Sequence, residues 1–389
     1  MMPSKTWTLT DVDSDVYVED MEISPDDVKL AATGLSIKKR RLRGGLRDGV
    51  DVVEVDNGAF RFTVVPTRGM GLWKAAMGDV QLGWQSPVRG PVHPAFVPVS
   101  EASGLGWLDG FDEMLVRCGL ESNGAPEFND DGTVRYGLHG KIANIPAQKV
   151  EVAVDGESGQ IAVLGVVDEA RLFFNKLRMT SVYKTTVGQP GMTVTDTITN
   201  LSAEPSELEL LYHTNFGVPL LDPGSKAVLP VKKIAPRDAE AVGNLAEWDT
   251  YGPETPGSAE AVFFFDLAAD AEGQTRAVLR NAAGDRGVTL RFNKTQLPCF
   301  TLWKSRQAAV DGYVTGLEPA INFPNARSFE KEKGRVAVLA PGESRTFEIT
   351  MEVHADASSV AAAEQAVAEL QEGAQPEILQ QPNPEWSKG

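Results

Sequence analysis

Four histidines and one proline-flanked glutamate carry most of the chemistry this sequence offers. Histidine gives up its proton nearest neutral pH, so His93, His139, His213 and His354 are each weighed. His354 closes the last strand-like run and reads as a surface residue. His93, in Pro91-Val92-His93-Pro94, reads as loop packing beside a cleft. His139 lies in Gly137-Leu138-His139-Gly140, where glycine permits close backbone approach and unusual dihedrals. His213 ends the apolar run Leu208 to Tyr212, ahead of Asn215-Phe216-Gly217, where a polar side chain can face a cleft. Glu318 ends Val314-Thr315-Gly316-Leu317-Glu318, and Pro319 holds it extended and removes one backbone donor. Such a glutamate is either a satisfied ion-pair partner or a working base. Taken singly, each of these residues also has a plain structural reading.

The usual catalytic signatures are missing. The sequence has no Walker loop, Gly-x-Ser-x-Gly elbow, His-Glu-x-x-His or Cys-x-x-Cys. Cys118 and Cys299 form neither a disulfide framework nor a metal-ligand spacing. The 37 Lys+Arg stand against 54 Asp+Glu, a net charge of −17. That balance argues against duplex DNA or an anionic membrane as partner, because both need a cationic surface. The one dense basic run, Lys38-Lys39-Arg40-Arg41-Leu42-Arg43, reads as a solvated loop or strand edge. No apolar stretch reaches the roughly 18 residues of a membrane span. The early acids Asp11, Asp13, Asp15, Glu19 and Asp20 do not resemble a secretory signal, so cytoplasmic residence is expected.

The elements that must position these residues are strands. Val50 to Val55 and Phe60 to Val65 flank Asp56-Asn57-Gly58, a strong hairpin signal. Lys149 to Val154 with Ile161 to Val167, and Leu177 to Val187 with Met192 to Asn200, read as two more hairpins. In Met192 to Asn200 one face is apolar and the other carries threonines. Further strands are predicted through Ser344 to Val353, giving an all-β chain built as a large antiparallel sandwich. The wet face of such a sheet can form a binding cleft. Gly83 to Gly137 reads as a long Gly- and Pro-rich loop. Helices are few: a short capped turn from Ser24 to Leu30, and a helix capped by Asp356 running to about Leu370. Glu372 to Gly389 reads as a flexible tail.

Six short segments, in this order, resemble the aldose 1-epimerase (galactose mutarotase-like) superfamily. They are Pro66-Thr67-Arg68-Gly69-Met70, Gly106-Trp107-x-x-Gly110-Phe111, Cys118-Gly119-Leu120-x-x-Asn123-Gly124, Gly137-Leu138-His139-Gly140, Leu211-Tyr212-His213-x-Asn215-Phe216-Gly217 and Gly316-Leu317-Glu318-Pro319. More closely, the chain resembles a bacterial branch known as a domain of unknown function. The resemblance implies a β-supersandwich over about residues 35–355, after an N-terminal extension at 1–34 and before a C-terminal helix and tail at 356–389. It implies a mutarotase that interconverts sugar anomers by acid/base ring opening and needs no cofactor or metal. His213 matches the general acid, Glu318 the base, and His139 and Arg68 groups that bind sugar hydroxyls. Asn123, Asp112 and Lys304 are added as substrate-binding candidates, with Trp107 or Trp303 stacking on the sugar. Asn215 stands where the classical enzymes have tyrosine.

Two other readings stay open. One is an isomerase or lyase that uses the same pair on a keto or modified sugar, with a divalent ion held by His139, His213 and loop acids such as Glu113. The other is a sugar-binding module without catalysis. The expected partner is a small carbohydrate, with no nucleic acid and no membrane, and a homo-oligomer is left open.

Overall fold

Two kinds of strand build the molecule, and their burial follows from what covers them. The computed structural model describes residues 5–28, 34–78, 80–373 and 375–388. In Gln160–Ala170, Lys176–Thr186 and Gly191–Asn200, buried and partly wet side chains alternate. A period of two is what a sheet with one covered face requires. The threonines of Gly191–Asn200 point outward and pair across to Ser344–His354: Thr193 with Thr350 at 3.0 Å, and Thr199 with Ser344 at 2.8 Å.

Among the described residues, these strands belong to a ten-stranded antiparallel sheet. Its order is Lys226–Val228, Gln274–Arg280, Gly287–Asn293, Ser344–His354, Gly191–Asn200, Lys176–Thr186, Gln160–Ala170, Lys149–Val154, Lys5–Asp11 and Val16–Tyr17. A fourteen-stranded sheet packs against it. The central run of that second sheet is Ala261–Leu267, Cys299–Arg306, Tyr313–Ala320, Ser206–Gly217, Leu115–Leu120, Gly71–Met77 and Phe60–Val65. Val53, Phe62 and Leu72 of the second sheet share one core with Val163, Met179 and Val194 of the first. The fold is an all-β supersandwich with few short helices.

Leu115–Leu120 and Tyr313–Ala320 are buried along their whole length. One face meets the other sheet. The opposite face is covered by loops, with Trp107, Phe111 and Ala143 packed on Val116, Cys118, Leu211 and Ala320. A strand covered on both faces shows no alternation. That is why Gly83 to Gly137, expected as one long loop, in fact contains the central strand Leu115–Leu120.

The two sheets are also tied by a buried ion pair. Arg117 donates from Nε and Nη2 to Asp196, each at 2.9 Å, from Nη1 to the Tyr183 hydroxyl at 2.6 Å and from Nη2 to the Ser181 hydroxyl at 2.7 Å. Both side chains are fully buried. Asp196 breaks the apolar face of its strand because Arg117 faces it from the other sheet.

At the N-terminal end, Lys5–Asp11 pairs with Lys149–Val154 and places Leu9 in the core. A helix forms at Pro25–Val28, and Lys29 and Leu30 of the expected turn lie outside the described residues. The C-terminal helix Ala357–Gln371 starts as expected, Asp356 accepting from the Ser359 N–H at 2.8 Å, and it buries Ala363 and Val367 on Val278. The expected flexible tail is instead docked. Glu377–Ile378 runs parallel to Val231–Pro236, and the Trp386 ring lies 5.4 Å from Phe323. One aromatic anchor and a strand bridge outweigh the polar composition. No helix among the described residues is long and apolar enough to cross a membrane.

Candidate active site

Strand register brings the two key residues together. Ser206–Gly217 and Tyr313–Ala320 are antiparallel neighbours, with Leu211 opposite Ala320 and Thr214 opposite Leu317. His213 therefore falls opposite Glu318. Beyond Glu318 the row continues through Thr301 to Phe264. Residues directly opposite share a face, so all of these point toward the loop-covered side. Two residues along, a second row reads Asn215, Gly316, Trp303 and Val262. Gly316 leaves room for the contact: a Cβ there would lie 2.4 Å from Glu318 Oε1 and 3.1 Å from His213 Cε1. In that space His213 Nε2 sits 3.2 Å from Glu318 Oε1.

Above these rows lies a cavity of about 340 Å³, within the range of small-molecule sites. Its lining includes Trp107, Phe111, His139, Arg237 and Glu260. Trp107, Phe111 and Trp303 supply the aromatic part of the lining, beside Leu138 and Val262. Phe111 and Trp303 set their rings 5.1 and 5.3 Å from His213, and Trp107 lies 4.6 Å from His139. His139 holds a left-handed backbone, φ 57°. It is followed by Gly140, where a Cβ would meet the Ser122 and Gly119 carbonyl oxygens at 2.1 and 2.3 Å. Only glycine fits there. The His139 ring stacks edge-on to His213 with 5.5 Å between centres.

Hydrogen bonding decides where the protons are. His139 Nδ1 lies 2.8 Å from the Asn123 carbonyl oxygen, so Nδ1 is the donor and Nε2 is bare. His213 Nδ1 lies 2.6 Å from Asn215 Oδ1. Burial pushes the His213 imidazolium down to about 3, and a charged His139 would push it further. Burial, with the Glu260 charge behind it, pushes the Glu318 carboxyl well above the carboxylate range. Between the two groups, burial therefore favours a proton on Glu318 over one added to the His213 ring. Thr301 Oγ1, Trp107 Nε1 and Glu318 Oε1 are buried without a hydrogen-bond partner among the described residues. Buried polar atoms are normally paired, so these three are available to a ligand's hydroxyls.

The other expected site residues lie elsewhere. Arg68 is fully buried, bonded to the Glu113 carboxylate, the Asn144 side chain at 2.6 Å and the Gly110 carbonyl at 3.0 Å. It holds the loop that carries Trp107 and does not line the cavity. Asp112 accepts from Trp73 Nε1 at 2.9 Å, and burial beside Glu113 pushes its carboxyl up to about 8. The Asn123 side chain pairs with Asn322 at 2.9 and 3.1 Å, and only its carbonyl serves the site, through His139. Lys304 points to the opposite face from Trp303 and donates to the carbonyls of Glu247, Trp248 and Thr250 at 2.6 to 3.0 Å. His93 caps a 3-10 turn through Ala95 N–H, and His354 bonds Thr289 at 2.7 Å. Among the described residues no three His, Cys, Asp or Glu side chains converge to hold a metal ion.

Sequence reasoning missed Arg237, Glu260 and Thr301. Glu260 accepts from Arg237 at 2.9 Å and from Trp303 Nε1 at 2.7 Å. Arg237 also holds Asp238 at 2.7 Å. The one guanidinium at the cavity is therefore already matched by two carboxylates.

Comparison with known proteins agrees with this architecture. Residues 47–353 match the family model described as Domain of unknown function (DUF4432). The chain is similar to a candidate aldose 1-epimerase from Klebsiella pneumoniae subsp. pneumoniae, with 35% identity, 97% of this chain and 98% of that one covered, and a TM-score of 0.94. It shares its fold with a galactose mutarotase-like protein from Clostridium acetobutylicum, at 16% identity, 83% and 100% coverage and a TM-score of 0.56. Galactose 1-epimerase from Lactobacillus acidophilus NCFM has the same fold, at 14% identity, 82% and 99% coverage and a TM-score of 0.52. No match is found among the curated proteins.

Proposed function

The chain belongs to the DUF4432 family, within the aldose 1-epimerase-like (galactose mutarotase-like) superfamily, and on that premise we propose that it is a mutarotase of a free, uncharged sugar. The observation that carries this reading is the His213–Glu318 contact at 3.2 Å in the wall of a cavity partly lined by aromatic rings. Opening a cyclic hemiacetal needs one proton removed from the anomeric hydroxyl and another delivered to the ring oxygen. Both oxygens are bonded to the same carbon. Two acid/base groups side by side on one wall can therefore serve both. A pair that shares one proton can give it and take it back, as reclosure on the other face requires.

The remaining cavity groups fit this task. His139 Nε2 is a bare acceptor for a sugar hydroxyl, while Thr301 Oγ1 and Trp107 Nε1 supply hydroxyl and indole partners. The aromatic rings suit the apolar C–H faces of a sugar. The uncharged substrate follows from the cations. Lys304 faces away, and Arg237 is held by Glu260 and Asp238, so no unmatched positive charge meets a carboxylate or phosphate. The test is polarimetry on freshly dissolved aldoses, ketoses and uronates. Acceleration of neutral sugars, with uronates unaffected, is the expected result. Acceleration confined to uronates would reverse the substrate assignment, and none at all would remove the activity.

A further inference from the structure

Asn215 controls which ring nitrogen of His213 faces Glu318. Its side chain is fully buried. Nδ2 donates to the Glu113 carbonyl at 3.0 Å and to the His213 carbonyl at 3.3 Å. Two carbonyl oxygens on that side accept only an NH₂ group, so the amide cannot be turned round. Oδ1 is thereby aimed at His213 Nδ1, 2.6 Å away. An amide oxygen only accepts, so Nδ1 must carry the ring proton. A neutral imidazole has a single N–H, and Nε2 is left bare toward Glu318.

The anchor of this arrangement is itself held. The Glu113 carbonyl also accepts from Trp84 Nε1 at 3.2 Å, and its carboxylate is gripped by Arg68. Arg68, the expected sugar contact, thus stands two steps behind the imidazole.

Resting on the mutarotase reading, we propose that Asn215 is a positioning residue that sets the His213 tautomer, holding the proton of the neutral ring on Nδ1 and presenting His213 Nε2 toward Glu318 and the sugar's anomeric centre.

The test is ¹⁵N NMR of protein labelled at histidine nitrogens, with His213 identified by the signals lost in His213→Gln. The expected result is a protonated Nδ1 and a bare Nε2 in the wild type, and a mixed or inverted tautomer in Asn215→Leu. In kinetics, Asn215→Leu should lower kcat by about 10- to 100-fold at nearly constant KM. A protonated Nε2 in the wild type would overturn the proposal, as would an unchanged tautomer in Asn215→Leu. The wild-type spectrum needs neither a variant nor a substrate, so it stands even if no sugar turns over.

Discussion

His213 Nε2 lies 3.2 Å from Glu318 Oε1 because the two residues face each other on adjacent antiparallel strands. Their separation is set by backbone hydrogen bonding and leaves little room to drift. The gap they occupy is the missing side chain of Gly316.

Gly316→Ala should therefore strike activity more than stability. The added methyl would lie 2.4 Å from Glu318 Oε1 and displace it from His213. A catalytic pair moved by about 1 Å loses on the order of 10²-fold in rate. Thermal melting should fall only slightly, since the carboxyl end of Glu318 can swing away. Rate and melting temperature, measured together, check this. Full activity in the variant would show that the close contact is not used.

The pH profile follows from the shared proton. The working form holds one proton on the pair, with His139, Glu260, Arg237 and the Cys118 thiol the ionisable groups around it. A second proton must go to His213, whose imidazolium is pushed down to about 3. Turnover should therefore stay flat through pH 6.5, where an ordinary histidine base would fail, and decline only in the acid range. Rates from pH 4.5 to 8.5, corrected for buffer catalysis, provide the measurement. A bend near pH 6.5 would contradict it.

Stability carries the same information with a definite sign. Glu318 keeps its proton in the folded state above the pH where the unfolded chain loses it. That cost is absent below about pH 4.5 and grows as pH rises toward the folded value. Glu318→Gln removes it. The variant should melt higher than wild type at pH 8, with the advantage gone near pH 4.

The buried Arg117–Asp196 pair joins the sheets, and leaving either charge alone should be costly. Arg117→Met or Asp196→Asn is expected to destabilise by about 3–5 kcal/mol. Replacing both with apolar residues should recover much of that loss. Urea unfolding of the single and double variants checks it, and additive losses would deny the coupling.

Much of the fold was legible from periodicity. The hairpins around Asn57, Gly156 and Pro190 alternate because one face of each is wet. Leu115–Leu120 was not legible, because a strand covered on both sides has no polar face to mark it. His213 and Glu318 could be picked out as single residues, but their contact depends on register between distant segments. The orientation of Lys304 follows from local rules alone. This lysine adjoins Trp303, and neighbours on a strand face opposite ways, so only one of the two can line the cavity. Arg237 and Glu260 carry no motif at all, and only the packing of their loops brings them to the site.

The most direct test is two-dimensional exchange NMR of anomeric protons at equilibrium, comparing wild type with Glu318→Gln. The glutamine is the size of the protonated acid and can still donate to His213 Nε2, so folding and sugar binding should survive. The expected result is α–β exchange of at least one neutral sugar that grows with wild-type enzyme and falls by roughly 10²- to 10⁴-fold in the variant. Exchange at the buffer rate for every neutral sugar, or equal rates for the two proteins, would contradict the central claim.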